Sequence, residues 1–333
     1  MSISVIIPTF NEEKHIQQAI DCVGFADEII VIDSYSTDAT IPIVKKNDCV
    51  FLQRKFDNFS NQKNFAIDRA KNDWIMILDA DEFLLPKVQK EILNVLQQKE
   101  FVAYQIPRSN YFINRFLKFG TDRSERPIRI FDRNYCRYEG LVHEKLVCNG
   151  KIGTLKNPML HYTYKSLDHF IYKKNKYAEL QSQQLLEKNQ KVNYFHIVIK
   201  PMFRFFNELL LRVGLFDGVP GITTTTMNAY GVLSRYIKLR TKQGKTKYEK
   251  LLDYDCYISA LTNKAKNNSY QNKSKHSPGI RSFIFKPFFT FCYYYFIKLH
   301  ILKGIDGYAY SYTQGFYAYQ VLIYDWLRLR ELE

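Results

Sequence analysis

The 333-residue chain has no G-x-G-x-x-G turn and no G-x-x-x-x-G-K-[ST] loop. The two common glycine-built phosphate cradles, the dinucleotide fingerprint and the P-loop, are therefore excluded. Its six cysteines (Cys22, Cys49, Cys136, Cys148, Cys256 and Cys292) include no C-x-x-C pair and no zinc-like spacing to histidine. Unpaired thiols in a reducing compartment are the expectation. A secretory leader is missing as well: Ile3 to Pro8 is short and has no basic segment before it, which points to a cytoplasmic protein. No stretch reads as a membrane span, because Phe283 to Leu302 is broken by Lys286, Pro287, Lys298 and three tyrosines. Acidic residues are scarce, 33 against 48 Lys and Arg, and the shortage is uneven. Residues 196–333 hold 20 basic and 9 acidic side chains, in a chain that is 16% aromatic. A basic region rich in Tyr and Phe suits an anionic membrane surface or nucleic acid.

What is present in the N-terminal half is an alternation of strands and helices. Ser4 to Thr9, Glu28 to Asp33, Val50 to Leu52 and Trp74 to Leu78 are apolar runs of strand length. Between them, Ile16, Ala19, Ile20 and Val23, then Ile41 and Val44, then Gln62 to Ala70 carry helical spacing. Such alternation predicts a parallel, three-layer α/β sheet, with ligands bound at the C-terminal strand edges. Thr9, Asp33, Asp79 and Asp81 all fall at those edges. Asp79 and Asp81 would point the same way, with the small Ala80 between them. Two converging carboxylates suit a hard cation such as Mg²⁺ or Mn²⁺, and that cation suits a diphosphate.

Four segments occur in a telling order: Ser4-Val-Ile-Ile-Pro-Thr-Phe-Asn-Glu-Glu13, Val31-Ile-Asp-Ser-Tyr-Ser-Thr-Asp38, Asn61-Gln-Lys-Asn-Phe-Ala66 and Leu78-Asp-Ala-Asp-Glu82. Together they resemble the motifs of family 2 glycosyltransferases, over about the first 195 residues. The resemblance implies the GT-A fold, a three-layer α/β/α architecture with a mostly parallel sheet, and an inverting transfer from a nucleotide sugar, UDP-linked by family habit. It implies that Asp33 binds the base beside Pro8, Thr9 and Glu12. Lys63 and Asn64 fall where the family has an Arg-Asn pair near base and ribose. Asp79 and Ala80 would face the ribose side, and Asp81 the metal. The family commonly has a second acid after Asp33; here that position is Ser34.

Acceptor chemistry must come from the following segment. Arg126-Pro-Ile-Arg129-Ile-Phe131 alternates basic and apolar residues, then come Tyr138 to Glu144 and Pro158 to Tyr162. This succession resembles the bacterial subgroup that builds the lipopolysaccharide core, including β-1,4-glucosyltransferases, and the resemblance implies a hexose donor, such as a glucose donor, and a glycan or lipid-linked acceptor. Inversion needs a carboxylate to take the acceptor proton. Glu144 is the first candidate, with Asp122 and Glu125 behind it and a structural partnership with His143 as the alternative. His161 is a candidate ligand of the metal or diphosphate, and Arg126 and Arg129 are candidates to offset phosphate charge.

The C-terminal part repeats itself. Lys200-Pro-Met-Phe-Arg-Phe205 and Leu215 to Gly221 recur, both displaced by 86, as Lys286-Pro-Phe-Phe-Thr-Phe291 and Ile301 to Gly307. The expected layout is a catalytic domain over 1–195, amphipathic helical hairpins over 196–250 and 281–333, and a mobile linker over 251–280. Hairpins rich in Phe and Tyr and flanked by lysine fit a peripheral position on the anionic cytoplasmic face of the inner membrane. Packing of those aromatics within the protein is the alternative. A nucleic-acid-binding C-terminus and a nucleotidyltransferase are competing functions. The aromatics fall at helical spacing beside apolar residues rather than on an open sheet, so no nucleic acid is expected as a partner.

Overall fold

The computed structural model describes residues 2–98, 100–120, 125–140, 145–162, 166–272 and 276–332. The chain divides into two compact units, residues 1–111 with 122–163, and residues 112–121 with 164–333.

The first unit is built on a seven-stranded sheet. Its strands are β1 (Ile3–Thr9), β2 (Glu28–Asp33), β3 (Val50–Gln53), β4 (Trp74–Ile77), β6 (Ala103–Gln105), β9 (Ile128–Asp132) and β12 (Ile152–Thr154). They lie in the order β12-β6-β9-β4-β1-β2-β3. Strands β4, β1, β2 and β3 are mutually parallel, β12 runs parallel to β6, and only β9 is antiparallel to its neighbours. Period-two alternation sorts the apolar residues into two layers. Ile3, Val5, Ile7, Val31, Trp74 and Met76 face one layer, which is closed by α1 (Ile16–Asp21), α2 (Thr40–Val44) and α4 (Pro86–Gln98). Ile6, Ile30, Ile32, Ile75 and Ile77 face the other, closed by α3 (Phe59–Ile67) and by β10 (Cys136–Glu139). Each fully buried Ile or Val adds about 1.5–3 kcal/mol, so a one-residue slip of any central strand would turn both layers inside out. A small sheet covers the strand ends: β13 (Met159–His161) lies between β5 (Glu82–Phe83) and β7 (Arg108–Phe112). Strand β10 pairs with β11 (Lys145–Cys148).

The second unit begins with a short excursion holding β8 (Arg115–Phe116) and is otherwise helical. In chain order it contains α5 (Leu167–Glu187), α6 (Lys200–Phe206), α7 (Gly218–Lys242), α8 (Glu249–Leu252), α9 (Tyr254–Gln271), α10 (Ser282–Cys292) and α11 (Gly304–Arg328). The repeat is visible in the backbone at the same offset of 86. A π-helical turn at Asn207–Leu211 recurs at Tyr293–Ile297, and a 3-10 turn at Gly214–Asp217 recurs at His300–Lys303. The 25-residue α7 recurs as the 25-residue α11. The second glycine of each turn is obligatory: a Cβ on Gly221 would sit 2.0 Å from the Gly214 carbonyl oxygen, and one on Gly307 1.8 Å from that of His300.

The repeat also includes the helix before each hairpin, at an offset of 87. Ser166 and Asp253 both cap their helices by accepting from the backbone N–H three residues on. The buried stripe Leu167, Ile171, Ala178 and Ser182 of α5 is matched by Tyr254, Ile258, Ala265 and Ser269 of α9. The copies meet reciprocally. Lys238 of α7 pairs with Asp255 of α9 at 2.6 Å, and Tyr324 of α11, its equivalent, bonds Asp168 of α5, the equivalent of Asp255. Tyr230 stacks on its own equivalent, Phe316, with ring centroids 4.0 Å apart and planes 3° from parallel. Contacts of i with j′ and of i′ with j are the mark of a two-fold, here within one chain.

Three expectations change. The linker over 251–280 is largely helix α9; Asn263, Lys264, Asn267 and Asn268 are exposed while the small Ala265 and Ser269 are buried. The expected domain boundary at 195 moves back, since α5 belongs to the second unit. Cys136 and Cys148, expected as free thiols, stand opposite each other on β10 and β11 as a disulfide with Cα atoms 4.2 Å apart.

Candidate active site

The parallel register sets the site. Thr9 is the cross-strand partner of Asp33, and Pro8 of Ile32. Leu78 follows Ile77 alongside β1, its N–H bonded to the Ile6 carbonyl. The residues that leave these strands therefore open on one edge. Asp33 is fully buried and accepts from the Ser36 N–H (2.9 Å) and hydroxyl and from the Gln53 amide (3.3 Å). Beside it the Thr9 hydroxyl is buried with no hydrogen-bond partner among the described residues. An orphaned hydroxyl at a ligand edge is the kind of group a bound polar molecule satisfies. Glu12 is held through His15 Nδ1 at 3.0 Å, and its N–H donates to Thr40. Ser34, standing where a second acid is common, accepts from the buried Gln62 amide at 3.0 Å.

Below this edge lies a buried charge cluster. Glu82 is fully buried and holds Arg108 and Arg129, each at 2.6 Å. Both arginines also reach Asp79, Arg129 in a short contact and Arg108 at 3.4 Å. Burial alone would raise the Asp79 carboxyl, but Arg129, then Lys63 and Arg108, hold it well below the ordinary carboxylate range. The cluster fixes Asp79 as an anion, with its side chain 35% exposed. Arg129, expected beside phosphate, is buried and committed to Glu82 and Asp79. Arg126 is exposed, just before β9. Lys63 is buried on α3 with its ammonium 5.0 Å from the Tyr138 ring, while Asn64 bonds both backbone groups of Tyr138 at 2.9 and 3.3 Å. The Lys-Asn pair thus ties α3 to β10.

Asp81 and His161 come together. His161 Nε2 lies 3.6 Å from the Asp81 carboxylate, and His161 Nδ1 lies 2.8 Å from Asn110 Oδ1. An amide oxygen can only accept, so Nδ1 donates to Asn110 and the ring is held with Nε2 on the Asp81 side. A histidine oriented by a second hydrogen bond beside a carboxylate is how metal-ligating imidazoles are held. Among the described residues no group of three or more metal-type side chains occurs. One carboxylate and one imidazole nonetheless fit Mg²⁺ or Mn²⁺, which complete their shell with water and diphosphate oxygens. Ala80 is buried between the two aspartates.

Sequence reading placed Thr9, Asp33, Asp79, Asp81 and His161 in one region. It missed Arg108 and Asn110, which have no local motif and reach the site only because β7 lies beside β13. It also left Glu82 without a task. Glu144, the first candidate for the base, and Asp122 lie outside the described residues. Glu125 is half exposed and pairs with Arg108 at 3.1 Å.

A mostly parallel sheet with carboxylates and an oriented histidine at its strand ends is an α/β domain whose ligand edge lies at Thr9, Asp33 and Asp79. The family model described as glycosyl transferase family 2 matches residues 4–148, so the chain carries a family 2 glycosyltransferase domain. A glycosyltransferase of Rickettsia conorii is 28% identical over 271 residues, covering 76% of this chain and 94% of that protein. The lipopolysaccharide core biosynthesis glycosyltransferase LpsC of Rhizobium meliloti is 28% identical over 226 residues, 65% and 83% of the two chains. Among solved structures, S. aureus TarS 1–349 in complex with UDP-GlcNAc covers 94% of this chain and 90% of its own, at 15% identity and a TM-score of 0.40.

Proposed function

We propose that the enzyme is an inverting, divalent-metal-dependent hexosyltransferase. It moves a sugar from a UDP-linked donor to a membrane-associated glycan in lipopolysaccharide core or other cell-surface polysaccharide synthesis. The observation that carries the metal-dependent reading is the Asp81–His161 pair, oriented by Asn110 at the strand edge that also holds Thr9 and Asp33. The bound cation would neutralise the diphosphate as it leaves. Asp33 and the Thr9 hydroxyl bind the base, Asp79 faces the ribose side, and the buried arginines keep it ionised without occupying the phosphate pocket. Glu144 is the proposed base that takes the acceptor proton. The LpsC relative supports the core-glycan acceptor, and the basic, aromatic second unit supports a peripheral position on the cytoplasmic membrane face. Among the described residues no helix is long and apolar enough to cross a membrane.

Nucleotide release from a panel of nucleotide sugars, with and without Mn²⁺ or Mg²⁺, tests the reading. Turnover of a UDP-sugar that stops on chelation and returns with metal is expected. Turnover indifferent to chelation would remove the metal from the mechanism. Glu144→Gln is expected to lower turnover at saturating donor without weakening donor binding; a variant as active as the parent excludes Glu144 as the base.

A further inference from the structure

We propose that residues 199–217 and 285–303 are two equivalent prongs with which the second unit enters the interfacial layer of an anionic lipid bilayer. This deepens the membrane-associated reading above and rests on it.

Apolar exposure recurs position by position in the two copies. Leu211 and its equivalent Ile297 are 77% and 71% exposed, and Phe216 and Leu302 are 72% and 80% exposed. Phe203 and Phe289 are likewise exposed on the helices leading to the tips. Single exposed apolar residues are ordinary; the same ones kept in both halves of a duplication are not. The rest of each copy shows the contrast, for α7 and α11 fill a dense shared core.

The backbone at the tips is also repeated. Val213 and Leu299 both stand in the left-handed region, at φ 50° and 55°. A non-glycine residue there costs about 1–2 kcal/mol, and glycine or asparagine would relieve it. Both copies instead keep a bulky apolar side chain that is partly exposed to water, 37% for Val213 and 58% for Leu299.

Charge selects the occupant. Arg212 and its equivalent Lys298 are both exposed, and Lys286 is exposed where its equivalent Lys200 bonds the Tyr236 hydroxyl, so each prong carries an exposed cation at a matching place. The first prong has two acids, and both are buried. Glu208 pairs with Arg204, and Asp217 accepts from the N–H groups of Lys118 and Phe119. The second prong has no acid at all. Apolar tips beside exposed cations, with no outward carboxylate, match acyl chains beneath anionic headgroups. A single shallow insertion holds a protein only weakly, and two on one rigid unit reinforce each other.

Co-sedimentation of the full chain with vesicles of phosphatidylcholine and phosphatidylglycerol, against phosphatidylcholine alone, tests the proposal. Binding to the anionic vesicles is expected. Leu211→Ser with Phe216→Ser, and Ile297→Ser with Leu302→Ser, should each weaken partitioning about tenfold, and the fourfold variant should not bind. Nucleotide release in solution should be unchanged in all of them. The proposal is overturned if the unaltered chain ignores anionic vesicles, if the fourfold variant binds as well as the parent, or if only one pair matters. It is also overturned if size-exclusion chromatography shows a dimer that the fourfold variant converts to monomer without any vesicle binding. Absence of sugar transfer alongside intact vesicle binding would refute the catalytic reading and leave the prongs standing.

Discussion

The two units depart from the ordinary partition of side chains in opposite directions. In the first, charge goes inside: Glu82 and Arg129 are removed from water. In the second, apolar surface stays outside at Leu211, Phe216, Ile297 and Leu302. Both departures are ones that globular proteins avoid. The buried charges are matched within their own unit, two arginines against two carboxylates, so their partners can be read from the structure. The exposed apolar tips are matched only by each other's repetition. In the readings proposed above, the first departure serves a small polar ligand and the second a large apolar surface.

The sharpest way to break this comparison is at the edge of the first unit. Asp81→Asn keeps the shape and removes the charge facing His161. A loss of about a thousandfold in nucleotide release is expected, with an unchanged thermal midpoint because Asp81 lies outside the Glu82 cluster. Turnover near the parent's would mean that the Asp81–His161 pair is structural. Next in size is Glu82→Gln, which leaves two buried guanidinium groups short of a counter-charge. Chemical unfolding should show a loss of about 3–5 kcal/mol. Arg137→Ala, which breaks the half-exposed pair with Asp68, should cost under about 1 kcal/mol. Equal losses would remove the distinction drawn for the buried cluster.

How much of this was legible in the sequence follows the same division. The strands β1 to β4 were readable because apolar runs of fixed length end at Thr9, Asp33 and Asp79, and a parallel sheet brings such ends to one edge. Arg129 was misplaced because alternation along β9 reveals which face a residue takes but not which partner waits there. That partner, Glu82, is 47 residues away. Arg108 and Asn110 were invisible for a related reason: their roles depend on β7 lying beside β13, a pairing that leaves no local mark. In the second unit the repeat was legible from Lys-Pro and G-x-x-G anchors. Helix α9 was hidden, since its polar composition resembles a linker and its buried positions include Thr262, Ala265 and Ser269. Only comparison with α5, one residue further out of phase, exposes the stripe. The Cys136–Cys148 pairing also escaped, because it depends on hairpin register rather than on spacing.

The duplication itself can be probed at its glycines. Gly221→Ala and Gly307→Ala both force a methyl group against a carbonyl oxygen, so each should lower stability by about 1–3 kcal/mol, and by similar amounts. Thermal unfolding of the two variants measures it. A strong effect in one copy with none in the other would show that the halves carry unequal weight in the shared core.

Smaller effects separate the two departures. Asp79 is held below its ordinary range, so its pairing contributes stability that is present above about pH 4 and is lost as pH falls through the depressed folded value. The stability gap between parent and Asp79→Asn should therefore be flat through neutral pH and close only in acid. A gap that changed between pH 6 and 8 would point to another group. The second unit should behave differently at its tips. Leu211→Ser and Ile297→Ser remove apolar surface that water already covers, so unfolding free energy should move by less than about 0.5 kcal/mol, with no pH dependence. A loss of 2 kcal/mol, about the value of a buried leucine, would mean that the tips are packed against protein in solution. The contrast between inward charge and outward apolar surface would then fail on its second side.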